Sequence, residues 1–139
     1  MDACAFAQWR AARRLVENFA RDVEDSAGAT NEEVFGEKPH KARLGYFVGC
    51  TSAYRNQSTA KATISILKKL GEDYTLLDES CCGSVMGRVG WSDKDVEAQM
   101  ERNVRSIADQ GVEEVIFSCA GCYRMFKEEY PKHVDVPFK

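Results

Sequence analysis

Leu44-Gly45-Tyr46-Phe47-Val48-Gly49, followed at once by Cys50, decides how this chain is read. A continuous apolar run of this length marks a strand buried on both faces, as in a parallel sheet covered by helices. Downstream, Ala60, Ile64, Leu67 and Leu70 fall at helical spacing. They predict a helix with Ser58 or Thr59 as its N-cap and Gly71 as its C-terminal stop. Tyr74 to Leu77 reads as a second short strand. From Cys81 to Trp91 the glycines are too frequent for regular structure, so this stretch is expected to loop over the strand ends. Ser92 and Asp95 resemble a capping box, and Val96, Met100, Val104 and Ile107 form the stripe of a helix ending at Gly111. Val115-Ile116-Phe117 makes a third buried strand, and a last helix is expected from about Cys122 to Glu129. Beyond it, Val134-Asp135-Val136-Pro137-Phe138 reads like the start of another strand.

The order strand, helix, strand, loop, helix, strand, helix implies an α/β fold. It is a Rossmann-like, mostly parallel sheet with flanking helices. Such sheets bind ligands beyond the carboxyl ends of their strands. Cys50, the Cys81/Cys82 pair and the Cys119/Cys122 pair each lie just past a predicted strand, so all five are expected to converge on one edge of the sheet.

Ahead of this body, Trp9, Ala12, Val16, Phe19 and Val23 predict an amphipathic N-terminal helix over about Ala5 to Val23. A polar stretch with Gly28, Gly36 and Pro39 then reads as a linker. We divide the chain into residues 1–41, the helix and linker, and residues 42–139, a cysteine-rich body. His40 and His133 are lone histidines and are given no ligand role.

With 139 residues and 44% hydrophobic content, the chain can build one core of its own. A net charge of -3 offers no basic stripe for a phosphate backbone, so nucleic acid is not an expected partner. No run of 18 apolar residues occurs, and the first residues lack a basic start followed by a long apolar core, so neither a membrane span nor export is expected. A cytoplasmic location follows, peripheral to a membrane complex only through partners. In that reducing compartment, clustered cysteines point to metal binding or redox chemistry rather than structural disulfides. Cys4 stands apart as an ordinary thiol.

Soft thiolates suit zinc or iron-sulfur clusters. A structural zinc site needs four ligands in a tetrahedron. Five clustered cysteines, two of them adjacent, favour a multi-iron cluster, while zinc remains the alternative. A thioredoxin-like dithiol at Cys119-Ala120-Gly121-Cys122 would leave three cysteines unexplained. Gly49, Gly83 and Gly121 each neighbour one of the cysteines, which lets backbone N–H groups approach sulfur. Trp91, Met86 and Arg88 either shield the site or serve packing and solvation.

Thirty residues separate Cys50 from Cys81, and thirty-six separate Cys82 from Cys119. With Cys81-Cys82-Gly83 and Cys119-x-x-Cys122, this arrangement resembles the cysteine-rich CCG domain of heterodisulfide reductase. That domain also occurs in related glycolate, lactate and glycerol-3-phosphate oxidoreductases. The resemblance covers about Leu44 to Tyr130 and extends to Leu67-Lys68-Lys69-Leu70-Gly71. It implies that Cys50, Cys81, Cys82, Cys119 and Cys122 coordinate a noncubane [4Fe-4S] cluster. Disulfide reduction or electron transfer is implied with it, beside ferredoxin-like or flavin-containing partners and a thiol or disulfide substrate. Family members usually carry two such domains, often after a ferredoxin-like region. The chain is therefore expected to be part of a longer oxidoreductase.

Overall fold

The computed structural model describes residues 35–38 and 40–139. The expected helix over Ala5 to Val23, and Cys4, lie outside these residues. Three strands, β1 (Leu44–Phe47), β2 (Tyr74–Leu76) and β3 (Glu114–Phe117), form one parallel sheet in the order β2-β1-β3. Leu44 is in register with Tyr74 on one side and Glu114 on the other. The central strand is shorter than its apolar run suggests. Val48 and Gly49 leave the ladder because their N–H groups turn to the Glu79 carboxylate instead.

Five α-helices connect and follow the strands: α1 (Cys50–Tyr54), α2 (Gln57–Leu70), α3 (Ser84–Arg88), α4 (Asp93–Asp109) and α5 (Ala120–Arg124). A π turn over Met125–Glu129 and a 3-10 turn over Tyr130–Lys132 extend α5. The alternation of strand side chains splits the core in two. Tyr46 and Val48 join Leu76, Tyr74 and the Ala60, Ile64 and Leu67 face of α2. Phe47, Leu77 and Val115 join Val96, Met100, Val104 and Ile107 of α4. Helices therefore cover both faces of the sheet. Close packing leaves no room at Gly45, where a Cβ would sit 2.7 Å from Leu77 Cδ2 and 2.9 Å from Val112 Cγ1.

Several boundaries differ from expectation. Helix α2 starts at Gln57 behind Asn56, because Ser58 Oγ is spent on Asn56 Oδ1 at 2.7 Å rather than on a cap. Leu70 is 68% exposed, since the stripe has rotated off the core by the last turn. The glycine-rich segment is not all loop, for Ser84–Arg88 winds into α3 once Gly83 has taken a left-handed φ of 85°. Helix α4 keeps the forward half of its capping box, with Ser92 Oγ accepting from the Asp95 N–H at 3.2 Å and its hydroxyl donating to Asp95 Oδ2 at 2.6 Å. The last helix begins at Ala120 with Cys119 at its cap, which places Cys122 inside its first turn. Residues 134–138 hold no regular strand. Lys139 nevertheless bonds Glu113 and Val115 across Glu114, in the sense of a parallel pair.

The polar stretch before β1 is tied down where described. Lys68 pairs with Glu37 at 2.5 Å, and the exposed His40 ring contacts Asp73 Oδ1 at 3.0 Å and the Lys38 carbonyl at 3.2 Å.

Candidate metal centre

Each strand delivers its cysteines over the same edge. Gly49, in a left-handed conformation with φ 77°, turns β1 directly into α1, so Cys50 opens that helix. Cys81 and Cys82 follow β2, and Cys119 and Cys122 follow β3. Cys82 and Cys122 are buried, while Cys50, Cys81 and Cys119 are half-buried. The five sequence-expected residues are all brought together.

Cys50 Sγ lies 3.9 Å from Cys81 Sγ. Cys81 and Cys82, Cys82 and Cys122, and Cys122 and Cys119 stand close enough for each to bear on its neighbour's proton affinity. Neighbouring thiols cannot all ionise at once, so their proton affinities alternate. The contact with Cys50, and then the nearby Cys82, pulls the proton affinity of the Cys81 thiol well below its ordinary value. Its partner Cys50 is pushed up by the same contact and by burial. The nearness of Cys82 and Cys122 likewise raises Cys82 and lowers Cys122. Among the described residues, no group of three or more His, Cys, Asp or Glu is placed to close on a single metal ion. An open series of five thiols fits a body with several metal atoms better than a point ion.

The backbone is cut to let the sulfurs approach. A Cβ on Gly49 would stand 3.1 Å from Cys122 Sγ, and one on Gly121 would stand 3.7 Å from Cys119 Sγ. Glu79 accepts from Val48 N–H at 2.8 Å and from Gly49 N–H. Its carboxyl end is enclosed although the residue as a whole keeps some exposure, and burial pushes its proton affinity well above the usual carboxylate range.

Behind the cysteine pair lies a buried polar cluster that the sequence reading missed. Asn103 of α4 donates from Nδ2 to the Cys81 carbonyl at 3.0 Å and to Tyr130 Oη at 3.1 Å. Its Oδ1 accepts from Ser80 N–H at 2.9 Å and Ser80 Oγ at 3.2 Å. Tyr130 Oη donates to the Cys82 carbonyl at 3.2 Å, and Gln99 Nε2 donates to the Cys81 carbonyl at 3.0 Å and to Ser80 Oγ. The available signal was Asn103 itself, a polar residue on the apolar stripe between Met100 and Val104. Glu79 and Tyr130 carried none.

A groove of about 250 Å³ runs between Gly83, Ser84 and Arg88 on one side and Gly121, Arg124 and Met125 on the other. Met86 packs partly into the core, whereas Arg88 and Trp91 face solvent. A larger cavity of about 390 Å³ lies between Glu101, Val104, Arg105 and Val134, and no cysteine lines either opening.

The model of the cysteine-rich CCG domain matches residues 44–127, which span all three strands and all five site cysteines. The chain belongs to the CCG domain family. This CCG chain is 39% identical over 105 residues to one of the subunits of the dihydromethanophenazine:CoB–CoM heterodisulfide reductase of Methanosarcina acetivorans, covering 71% of this chain and 26% of the relative. It is 34% identical over 125 residues to one of the subunits of the fumarate reductase (CoM/CoB) of Methanothermobacter marburgensis, covering 89% and 24%. An uncharacterised iron-sulfur protein of Methanococcus maripaludis is 29% identical over 114 residues, covering 81% and 21%. The chain thus spans about a quarter of the length of the curated relatives it matches. No solved structure matches it. Among the described residues no helix is long and apolar enough to cross a membrane.

Proposed function

We propose that this CCG domain is an iron-sulfur redox module in which Cys50, Cys81, Cys82, Cys119 and Cys122 hold one noncubane [4Fe-4S] cluster. The observation that carries the reading is the convergence of five cysteines from three parallel strand ends, with Cys50 Sγ 3.9 Å from Cys81 Sγ and with Gly49 leaving room for Cys122 Sγ. Relatives whose names declare a heterodisulfide reductase and iron-sulfur proteins support it. When bound, such a cluster supplies one-electron redox chemistry and an iron able to take up sulfur.

The chain's own residues would do the rest. The cysteines bind as thiolates and give up their protons on loading. Glu79 fixes the Val48–Gly49 backbone that leads into Cys50. The groove between α3 and α5, lined by Gly83 beside Cys82 and Gly121 beside Cys122, is the proposed approach for a thiol or disulfide. Reducing a disulfide to two thiols takes two electrons and two protons, and partner redox subunits, ferredoxin-like or flavin-containing, are the proposed electron source. Relatives named as parts of multi-subunit reductases agree with a module that works inside a larger assembly.

Purification without oxygen, with iron, acid-labile sulfide and zinc measured per chain, tests the reading. About four irons and four sulfides, with a paramagnetic signal in one redox state, are expected for this cluster class. Zinc without sulfide would reduce the site to a structural staple. A spectrum that shifts when a small thiol is added assigns disulfide chemistry. An unmoved spectrum assigns electron transfer alone.

A further inference from the structure

We infer that Asn103 and Tyr130, with Gln99 in support, are positioning residues that set the orientation of the Cys81–Cys82 and Cys82–Gly83 peptides and so aim two adjacent sulfurs at one cluster. The inference rests on the cluster reading and adds residues that bind no metal. Adjacent cysteines in an extended chain point their side chains to opposite sides. Bringing both sulfurs to one site requires a bent backbone, and a bent backbone turns its carbonyls away from any ladder. Inside a protein those carbonyls must find donors.

The structure supplies them from behind. The Cys81 carbonyl receives Asn103 Nδ2 and Gln99 Nε2, both at 3.0 Å, and the Cys82 carbonyl receives the Tyr130 hydroxyl at 3.2 Å. Asn103 and Tyr130 are 1% and 0% exposed, so water cannot stand in for either. The Asn103 amide has its orientation dictated, because the Ser80 backbone N–H can only donate and must meet Oδ1. All four of its hydrogen-bonding positions are filled. A buried amide satisfied at every position, on an otherwise apolar helix face, is costly to place and specifies one geometry. That geometry belongs to the cysteine pair.

The test compares the full chain, purified without oxygen, with Tyr130→Phe, Asn103→Asp and Ser106→Ala. Ser106 is the control. It sits on the same helix and bonds the Asp78 carbonyl at 2.6 Å, in the same loop, but touches neither cysteine. Tyr130→Phe removes one hydroxyl from a well-packed ring, so it should fold with a wild-type circular dichroism spectrum. Its g values should shift, and its iron content should fall no more than about twofold. Asn103→Asp, which turns an acceptor toward the Cys81 carbonyl, should lose at least half of its iron. Ser106→Ala should match wild type in spectrum and iron. Folded Tyr130→Phe with wild-type g values and iron would overturn the inference, whatever Asn103→Asp does. Equal spectral shifts in Ser106→Ala would overturn it too, by showing a general response of the loop. A wild-type chain with no iron and no sulfide sinks the cluster reading itself and this inference with it.

Discussion

At Gly49 two requirements meet in one residue. A φ of 77° suits glycine, and the space a Cβ would occupy is bounded by Cys122 Sγ at 3.1 Å. Gly49→Ala therefore carries backbone strain and pushes on the Cys122 sulfur at once. We expect it to cost about 1–3 kcal/mol, the range for strained backbone positions, and to lower iron content along with the thermal midpoint. Cys82→Ser separates these two effects. The hydroxyl fits the buried position, so the fold should survive while iron incorporation drops, and Cys4→Ser should retain wild-type iron. Equal iron in both variants would remove Cys82 from the ligand set. A third residue bears on pH. The Lys38 carbonyl, then Asp73, raises the proton affinity of His40 above its ordinary 6.5. Because the folded value lies above the unfolded one, the stabilisation is complete below about 6.5 and disappears as pH rises through the folded value. The pair is exposed, so the effect should be about a few tenths of a kcal/mol. The difference in thermal midpoint between wild type and His40→Ala should shrink from pH 5.5 to pH 8.

Among the elements, α4 depends on its start and β1 on its lack of bulk. Removing the Ser92 hydroxyl takes the acceptor from the Asp95 N–H, and Ser92→Ala should cost about 1 kcal/mol. A thermal melt should show this as a drop of a few degrees with iron content unchanged. Gly45→Ala places a methyl against Leu77 and Val112, and about 1–3 kcal/mol of overpacking cost is expected. These elements also show what a sequence reading can reach. The three strands and the long helices were legible because strong periodicity survives any boundary error. Ends were less so. The apolar run through Val48 and Gly49 looked like strand because pattern reports burial, not the hydrogen-bond partner, and Glu79 outcompeted the ladder. That the five cysteines gather past the strand ends was legible because the strand order placed each of them beyond a strand of a parallel sheet. Asn103 and Tyr130 were not, because their role exists only once α4 and the turn after α5 meet behind the cysteine pair.

For the molecule as a whole, cysteines drawn from three strand ends tie the proposed site to the sheet. Anything bound there and not to the unfolded chain adds stability by mass action. Stripping iron with a chelator in air should therefore lower the thermal midpoint. Amide exchange should speed up around Val48, Gly49 and Cys119–Cys122, while Gly45 and Tyr46 in the central strand stay slow. A uniform rise in exchange would mean instead that the site and the sheet unfold as one unit. The two-sided core makes the local outcome the expected one, since Tyr46 and Phe47 each anchor a separate packed cluster.

The turns at Gly71 and Gly111 lie at the far end of the sheet, just ahead of β2 and β3. A Cβ at either glycine would meet nothing within 4 Å. That end is a handle: a dye, a surface tether or an inserted peptide attached beside either glycine would report on or immobilise the domain from a full strand length away, leaving the chemistry at the opposite end undisturbed.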